Sequence, residues 1–398
     1  MFSNNEKISS RQIKRLLVFD LFGVSSLLLP TQLAKAGNGF GLWNILAGTA
    51  LAGLYLWLVN ICCRHTVHDY IGYLKQGWGI FFARTIYICY AMICIFACGW
   101  VAKLLSDLMC DTLLENKEFP LALFFVILLA FYGAVAGLEA RARIYEVMFW
   151  VLVIPLVVML LLCIRQVQVI QWFPIFQQEG ENGREWFLSG TFQCFAAFLP
   201  VTFLLFLVPH EQNQKKARRA AGWAVVISAG ALIVIYMILL GIFGRGALAR
   251  DEYPVVTLMG MVKLPGDFLK RLDAVMVGVW FFTLYALIGS TLYYAAVVFR
   301  RACDRQINQK ESGGQAKRGN KNSQKYGRNK TYWFSAAALA AYGIAYGFHI
   351  WPQTEIAAGA LFYNVCVPFL VLVPFLSVIL CRMGQNKNKK KEELRVVR

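Results

Sequence analysis

Long apolar runs alternate with short polar connections along the whole chain. A run of about 18 or more apolar residues is long enough to cross the hydrocarbon core of a bilayer as a helix. The pattern therefore predicts an all-α polytopic membrane protein with ten transmembrane helices. We number these helices as spans one to ten, and they cover roughly residues 16–34, 42–62, 78–104, 119–138, 145–164, 187–209, 223–243, 272–299, 332–350 and 356–381.

Two of the predicted spans contain residues that interrupt a helix. Span one carries Asp20, Gly23 and Pro30, and span six has Pro200 near its middle. Proline inside a helix removes a backbone hydrogen bond and clashes with the preceding turn. Interruptions at corresponding places in two halves of a chain predict a substrate pocket at the bilayer midplane of an inverted-repeat transporter fold. The alternative is that these residues only adjust packing, because Gly and Pro are common in membrane helices.

The pairing of the interrupted spans divides the chain into two repeats of five spans each. The predicted segments are a cytoplasmic N-terminal segment (1–15), a first five-span repeat (16–164), an extracytoplasmic loop (165–186), a second five-span repeat (187–381) and a basic cytoplasmic tail (382–398). Within the second repeat, residues 300–330 are rich in Gly, Asn, Gln and Lys and have no apolar periodicity. This composition predicts a flexible basic cytoplasmic linker.

Basic residues exceed acidic ones, with 40 Lys and Arg against 22 Asp and Glu and a formal net charge of +18. Nucleic-acid binding needs basic residues on one face of a soluble domain, but 58% of the residues are hydrophobic and the cations lie in the connections. No nucleic-acid partner is therefore expected. The cations concentrate in connections that share a side with the N-terminus, so the positive-inside rule predicts both termini in the cytoplasm. The linker and the tail either bind anionic membrane lipid or only set the topology.

Several residues around the two interruptions are candidates to bind a small solute. An unwound turn frees backbone N–H and C=O groups to meet the carboxylate and the ammonium group of a zwitterion. Hydroxyl groups of Ser and Thr either add hydrogen bonds to the solute or bond back to their own helix. Aromatic residues of span eight suit a pocket lining, and they equally suit plain packing. The predicted ligand-binding residues are Phe22, Gly23, Val24, Ser25, Ser26, Phe198, Pro200, Thr202, Trp280 and Thr283.

A carboxylate inside a predicted span is a separate candidate. Asp20 lies about one turn before Gly23, and a charge at that depth costs at least about 2.5 to 3.5 kcal/mol on insertion scales. Such a residue normally faces a cavity or a partner. Asp20 therefore either takes up a proton that is coupled to solute binding, or it anchors the cytoplasmic half of the helix bundle.

Patterns typical of catalysis or of a resident cofactor are missing from the sequence. The 11 cysteines are scattered, mostly inside apolar runs, and the 4 histidines lie near predicted membrane edges. No spacing indicates a nucleophile with its base, a phosphate-binding loop or a set of metal ligands. We therefore expect no enzyme and no bound cofactor or metal.

Short motifs at the start of the chain and before span eight match a known family pattern. Residues 8–13 read Ile-Ser-Ser-Arg-Gln-Ile and lead into span one. Residues 253–256 read Tyr-Pro-Val-Val, and residues 267–273 read Asp-Phe-Leu-Lys-Arg-Leu-Asp ahead of Trp280. Together these stretches resemble the B subunit of the nutrient germinant receptors of bacterial spores. That GerAB-like family is a branch of the amino acid–polyamine–organocation transporter superfamily.

The resemblance implies a ten-span, LeuT-like 5+5 inverted repeat, located in the inner membrane of the spore or in the cell membrane. It also implies a subunit that binds a small nutrient, often an amino acid, and that acts with a larger A subunit and a lipoprotein C subunit to trigger germination. The chain departs from the family pattern in span six, where many members resemble Gly-Phe-Glu and this chain has Pro200, Val201 and Thr202. Span five also has no lysine, unlike that of some proton-coupled relatives.

Three functions fit these observations. The first is a germinant-sensing subunit whose interrupted spans one and six bind a small solute and shift a complex between two states. The second is a transporter that moves an amino acid with protons or sodium. The third is a purely structural membrane subunit with a closed pocket.

Overall fold

The computed structural model describes residues 7–36, 40–65, 70–114, 118–175, 183–211, 213–261, 272–303 and 321–380. All regular secondary structure within these ranges is helical. Nine helical segments of this part of the chain are long and apolar enough to cross a membrane. The prediction of an all-α polytopic membrane protein is therefore confirmed. Most of the motif at 267–273, most of the linker and the basic tail lie outside the described residues.

The described helices follow the predicted spans, with short connections between them. In chain order they are α1 (Ser10–Ala36), α2 (Gly41–His65), α3 (Tyr70–Thr112), α4 (Phe119–Ala136), α5 (Leu138–Ile164), α6 (Gly183–Ala197), α7 (Leu204–Leu207), α8 (Gln214–Leu248), α9 (Pro254–Met261), α10 (Leu272–Cys303), α11 (Lys321–Ile350) and α12 (Pro352–Leu361). Short 3₁₀ helices occupy Val169–Ile175, Leu199–Phe203 and Val208–His210. After α12 the chain continues through a π-helical turn, Phe362–Cys366, so that the apolar segment as a whole is Pro352–Leu380.

Nine of the ten predicted spans coincide with the nine apolar segments. The remaining one, predicted span nine at 332–350, lies within α11, which is 30 residues long. Its sequence is dominated by Ala, Gly and Tyr, and these residues contribute less to apolar transfer than Leu, Ile or Val. Span nine is thus a helix long enough to cross a membrane, but its mean hydropathy is lower than that of the other nine spans.

Span one is a continuous helix, which corrects the expectation of an interruption there. α1 runs from Ser10 to Ala36 and includes Pro30. The hydroxyl of Ser25 donates to the carbonyl oxygens of Leu21 and Phe22, at 2.5 and 3.1 Å. Because these side-chain donors bond back to their own helix, the polar residues of span one need no unwound turn to be satisfied.

Span six is interrupted as predicted. α6 ends at Ala197, and the chain then forms the 3₁₀ helix Leu199–Phe203, in which Pro200 occupies the first turn. Phe198 has φ −91° and ψ 1°, outside the α-helical region. Proline lacks the N–H that an α-helix would need at this point, so the sequence favours a break here. A short α-helical stretch, α7, then completes the span before a second 3₁₀ turn.

The chain forms two compact units. The first comprises residues 1–60, 107–118 and 139–287, and the second comprises residues 61–106, 119–138 and 288–398. In the first unit α1 packs against α8, α6 and the 3₁₀ helix of span six, and in the second unit α11 packs against α4. Each unit draws segments from both predicted repeats, and the boundaries of those repeats stay a prediction.

The helices differ strongly in how much of their surface is covered by protein. In α1, 83% of the apolar window is buried, against 28% in α5. The outer side of α5 carries large exposed apolar side chains, among them Trp150, Ile154 and Leu161. α1 is therefore an interior helix, and its polar residues face protein instead of lipid.

Candidate functional site

Gly23 brings the middle of α1 directly onto α10. A Cβ atom added at Gly23 would lie 3.1 Å from the carbonyl carbon of Thr283 and 3.2 Å from its Oγ1 atom. The Thr283 hydroxyl donates to the carbonyl oxygen of Trp280 at 3.0 Å. Only a residue without a side chain fits at Gly23 without displacing α10.

A buried hydrogen bond joins the same two helices one turn further along α1. Nε1 of Trp280 donates to Oγ of Ser26 at 3.1 Å, and that hydroxyl in turn donates to the carbonyl oxygen of Gly23 at 3.2 Å. Both side chains are fully buried. Polar contacts of this kind stabilise the association of membrane helices. The contact between α1 and α10 thus brings together four of the predicted site residues, Gly23, Ser26, Trp280 and Thr283.

A second polar cluster lies at the break in span six. The Thr202 hydroxyl donates to the carbonyl oxygen of Leu199 at 2.7 Å. It therefore accepts from the hydroxyl of Tyr55 on α2, which lies 2.6 Å away. The ring of Tyr55 also packs edge-on against Phe195 of α6, with 6.0 Å between centroids. Sequence reasoning missed Tyr55, although a tyrosine hydroxyl within the apolar run of span two is a signal for such a partner.

The other predicted site residues lie around these two clusters. Phe22 and Phe198 are buried, whereas Val24 and Pro200 are partly exposed. Ser25 is buried, and its hydroxyl is directed at its own helix. Because the 3₁₀ helix of span six contacts α1, both clusters belong to one region of the first unit, in which α1 is the common element.

Asp20 lies in a separate cluster with Arg141 and Tyr145 of α5. Asp20 and Arg141 are 1% and 2% exposed. Arg141 hydrogen-bonds the Tyr145 side chain, and Asp20 lies within electrostatic range of the same tyrosine. The guanidinium carbon of Arg141 is 5.6 Å from the centre of the Tyr145 ring. A buried cation in the same cluster is the kind of partner that an anchoring carboxylate needs, so the cluster is compatible with the anchoring alternative, which stays a prediction.

Arg141 is also a correction to the sequence analysis. It follows the predicted end of span four, in a stretch that reads as a basic connection, and its neighbour Arg143 does form an exposed ion pair with Glu139. α5 instead begins at Leu138, so that Arg141 falls inside a helix and faces the protein interior. Residues two positions apart lie on opposite sides of a helix, so of these two arginines only Arg141 faces the interior, whereas an irregular connection would give no such difference.

The start of α1 is held by side chains on α5. Ser9 caps the helix, because its Oγ accepts from the Gln12 backbone N–H at 3.3 Å while Gln12 Oε1 accepts from the Ser9 N–H at 3.0 Å. Glu146 pairs with Arg11 at 2.5 Å and with Arg15 at 3.2 Å. Gln12 Nε2 also donates to Glu146 at 3.0 Å. One carboxylate on α5 therefore fixes three residues in the first two turns of α1.

The described residues offer hydrogen-bonding groups and no cluster of metal ligands. They contain no group of three or more His, Cys, Asp and Glu side chains that could hold a metal ion. The groups gathered around α1 are hydroxyls, an indole N–H and the backbone of a 3₁₀ turn, which are suited to hydrogen-bonding a small polar solute.

Solved structures with the same fold are solute transporters. The chain resembles a Na+-coupled sialic acid symporter in a substrate-bound outward-open state, with a TM-score of 0.62 and 11% identity over 94% of this chain and 79% of that one. It also resembles MhsT in complex with L-phenylalanine, with a TM-score of 0.56 and 10% identity over 95% and 99% of the two chains. A third match is Mhp1, a nucleobase-cation-symport-1 family transporter, with a TM-score of 0.57 and 14% identity over 97% and 93%. The protein is thus a multi-pass membrane protein with the LeuT fold.

The sequence defines the family within this fold class. A family model described as spore germination protein matches residues 7–309. Similar proteins include spore germination protein B2 of Bacillus subtilis (strain 168), 22% identical over 302 residues, which are 73% of this chain and 78% of that protein. Spore germination protein GerLB of Bacillus cereus is 23% identical over 299 residues, 74% of this chain and 79% of that protein. The chain belongs to the spore germination protein family.

Proposed function

We propose that this chain is the membrane subunit of a nutrient germinant receptor, which binds a small nutrient such as an amino acid and thereby triggers spore germination. Family membership supports the role in germination. The observation that carries the ligand-binding role is the break in span six, where the 3₁₀ helix Leu199–Phe203 lies against α1. Irregular backbone at membrane depth is tolerated where it is buried in protein or lines a cavity.

The proposed binding site is asymmetric, because only one of its two central spans is interrupted. Span six supplies backbone groups of its 3₁₀ turn together with Phe198, Pro200 and Thr202. α1 contributes through Gly23, which lets α10 approach so closely that Thr283 lies against α1. Backbone N–H groups at the start of a short helix attract a carboxylate, and open carbonyls attract an ammonium group.

Binding of amino acids to the purified full-length chain tests this role. A ligand at 100 times its dissociation constant raises the free energy of unfolding by about 2.7 kcal/mol, so a panel of amino acids in a thermal-shift assay should contain at least one that stabilises the protein. If no amino acid or other small nutrient in the panel raises the unfolding temperature, the proposed role in ligand binding fails.

Substitution at the break locates the bound nutrient. Thr202→Val removes the hydroxyl that joins Tyr55 to the 3₁₀ turn. We expect this loss to loosen the turn that holds the nutrient and so to weaken binding about 5- to 10-fold, the size of one buried hydrogen bond. Thr257→Val on α9 removes a hydroxyl that is exposed and bonded to its own helix, and it should leave binding unchanged. Equal affinity in both variants would place the nutrient elsewhere.

The remaining parts of the proposal concern location and partners. We place the chain in the spore inner membrane with both termini in the cytoplasm, since the basic connections fall on that side. Receptor A and C subunits are its proposed partners. Co-purification of A- and C-type subunits with the tagged chain from spore membranes supports this assembly, and their absence from such a preparation contradicts it.

A coupled amino acid transporter is the second candidate. The likeness to Na+-coupled and cation-coupled symporters favours it. The two functions differ in one measurement, the uptake of labelled amino acids into vesicles that contain this chain alone. Uptake against a gradient identifies a transporter, whereas binding without uptake identifies a sensor.

A further inference from the structure

α2 is attached to span six on both sides of its break. On the N-terminal side, the Thr191 hydroxyl of α6 donates to Oδ1 of Asn44 at 3.3 Å. In the 3₁₀ turn, Thr202 accepts from the Tyr55 hydroxyl at 2.6 Å. The same number of residues separates the two attachments in α2 and in span six. Because about three turns of one continuous helix lie between Asn44 and Tyr55, both residues are on the same face of α2.

Two glycines bring α2 and α6 into close contact beside Asn44. A Cβ atom at Gly190 would collide with the amide of Asn44, whose Cγ atom would be 2.8 Å away. A Cβ atom at Gly48 would lie 2.6 Å from Cβ of Cys194 and 3.0 Å from the carbonyl oxygen of Thr191. Neither glycine can therefore accept a side chain unless the two helices move apart. The position of α6 is thus closely determined by α2.

Asn44 lies where a polar side chain is costly. The residue is completely buried, and its Nδ2 atom has no hydrogen-bond partner within the described part of the chain. Burying an amide without its full set of hydrogen bonds costs free energy, whereas an apolar side chain of similar size has no such cost. Asn44 is therefore better explained by what it orients than by what it adds to stability, and its hydrogen-bonded partner is α6.

We propose that α2 splints span six across its break, and that Asn44 is a positioning residue for the proposed nutrient site. A break removes backbone hydrogen bonds that would keep the two parts of a helix in line. Asn44 holds α6 on one side of this break, and Tyr55 holds the 3₁₀ turn on the other. Since α2 is a single continuous helix, it keeps these two parts at a constant separation. The splint thus maintains the backbone geometry that binds the nutrient, and in this respect the inference rests on the proposed function.

A double-mutant cycle tests whether the two attachments act together. Asn44→Ala and Tyr55→Phe should each weaken binding of the nutrient that stabilises the full-length chain, by about 3- to 30-fold. Once one attachment is lost the splint no longer works, so the second substitution should add less than about 2-fold. Independent sites three turns apart have additive free energies, so fold-changes that multiply would overturn the proposal. Gly53→Ala, on the same helix with nothing within 4 Å of its Cβ, should bind normally.

Conservative variants of Thr191 separate positioning from packing. Thr191→Val keeps the shape of the side chain but removes the hydroxyl that donates to Asn44, and it should weaken nutrient binding by about 3- to 10-fold. Thr191→Ser keeps the hydroxyl and should retain most of the affinity. Equal affinities in these two variants would show that the hydrogen bond between α2 and α6 does not position the site.

Amide hydrogen exchange of the ligand-free chain gives an arm that needs no nutrient. Asn44→Ala should speed exchange in the 3₁₀ turn Leu199–Phe203 by about 3- to 30-fold and leave exchange in α9 unchanged. Unaltered exchange in the turn would overturn the splint even if the unmodified chain binds a nutrient. Faster exchange in the variant of a chain that binds no nutrient would support the splint and contradict only the proposed function.

Discussion

Gly23 illustrates how one residue decides the distance between two helices. Its missing side chain lets α1 contact Thr283 within about the closest separation that a Cβ atom tolerates. The sequence predicted a different role for this glycine, as the site of an unwound turn. The position was right and the mechanism was not, because a glycine that permits close packing and a glycine that permits unwinding look identical in one sequence.

Gly23→Leu should therefore disturb the nutrient site through packing. The added side chain must displace α10, and overpacking of this kind costs about 1 to 3 kcal/mol. We expect the variant to insert into the membrane but to lose nutrient-induced thermal stabilisation and the germination response. Gly53→Leu is the matched control, since nothing lies within 4 Å of a Cβ at that glycine. Normal binding by the Gly23 variant would remove the middle of α1 from the site.

Asp20 and Arg141 show how burial changes the meaning of a charged residue. Each was visible in the sequence, one as a buried carboxylate and the other as part of a basic connection. Their shared neighbour was not, since the two residues lie more than one hundred positions apart in the chain, and both act on Tyr145 only because α1 packs against α5.

Asp20→Asn should destabilise the protein by about 3 kcal/mol, because it removes a buried carboxylate from the cluster that holds the buried charge of Arg141. Arg141→Met in the same chain should recover much of that loss, which a double-mutant cycle on the free energy of unfolding would measure. Glu139→Gln, in an ion pair whose Arg143 side chain is 50% exposed, should cost little. If Asp20→Asn is neutral for stability yet abolishes pH-dependent binding, Asp20 carries a proton instead of anchoring α5.

At the scale of elements, the two central spans differ in what their sequences determine. Pro200 predicts the break in span six because the missing N–H is a local property of the residue. In span one Pro30 is accommodated within a continuous helix, and the serines supply side-chain donors to their own helix. Local chemistry thus predicts where a helix can break, and the packing of neighbouring helices decides whether it does.

The start of α1 depends on Glu146 of α5. Glu146→Ala removes the carboxylate that pairs with Arg11 and Arg15, and Arg15 is the more buried of the two partners. We expect faster amide hydrogen exchange in the first two turns of α1, by about 5- to 30-fold for a loss of 1 to 2 kcal/mol in local stability. Glu355→Ala, which breaks the ion pair with Lys103 in the second unit, should leave exchange in α1 unchanged. Equal protection of α1 in the Glu146 variant would show that the ion pairs contribute nothing there.

At the scale of the whole molecule, the apolar pattern was sufficient to predict an all-α polytopic membrane protein, whereas the LeuT-like architecture was predicted from the family resemblance. The run lengths give helices that cross a membrane, and the break in span six points to a transporter-like architecture. The solved structures that share the fold are only 10 to 14% identical to this chain, so very different side chains form the same fold. The division into two compact units was not predictable, because it depends on contacts between segments that are distant in sequence.

The burial of α1 has a consequence for how the protein is made. α1 is synthesised long before α8, against which it packs and which begins only at Gln214. During translation α1 therefore enters the bilayer before α6 and α8 exist, and before Arg141 is made. Its final environment closes around it only when these later helices have left the ribosome. Until they arrive, α1 must be sheltered by lipid or by the insertion machinery.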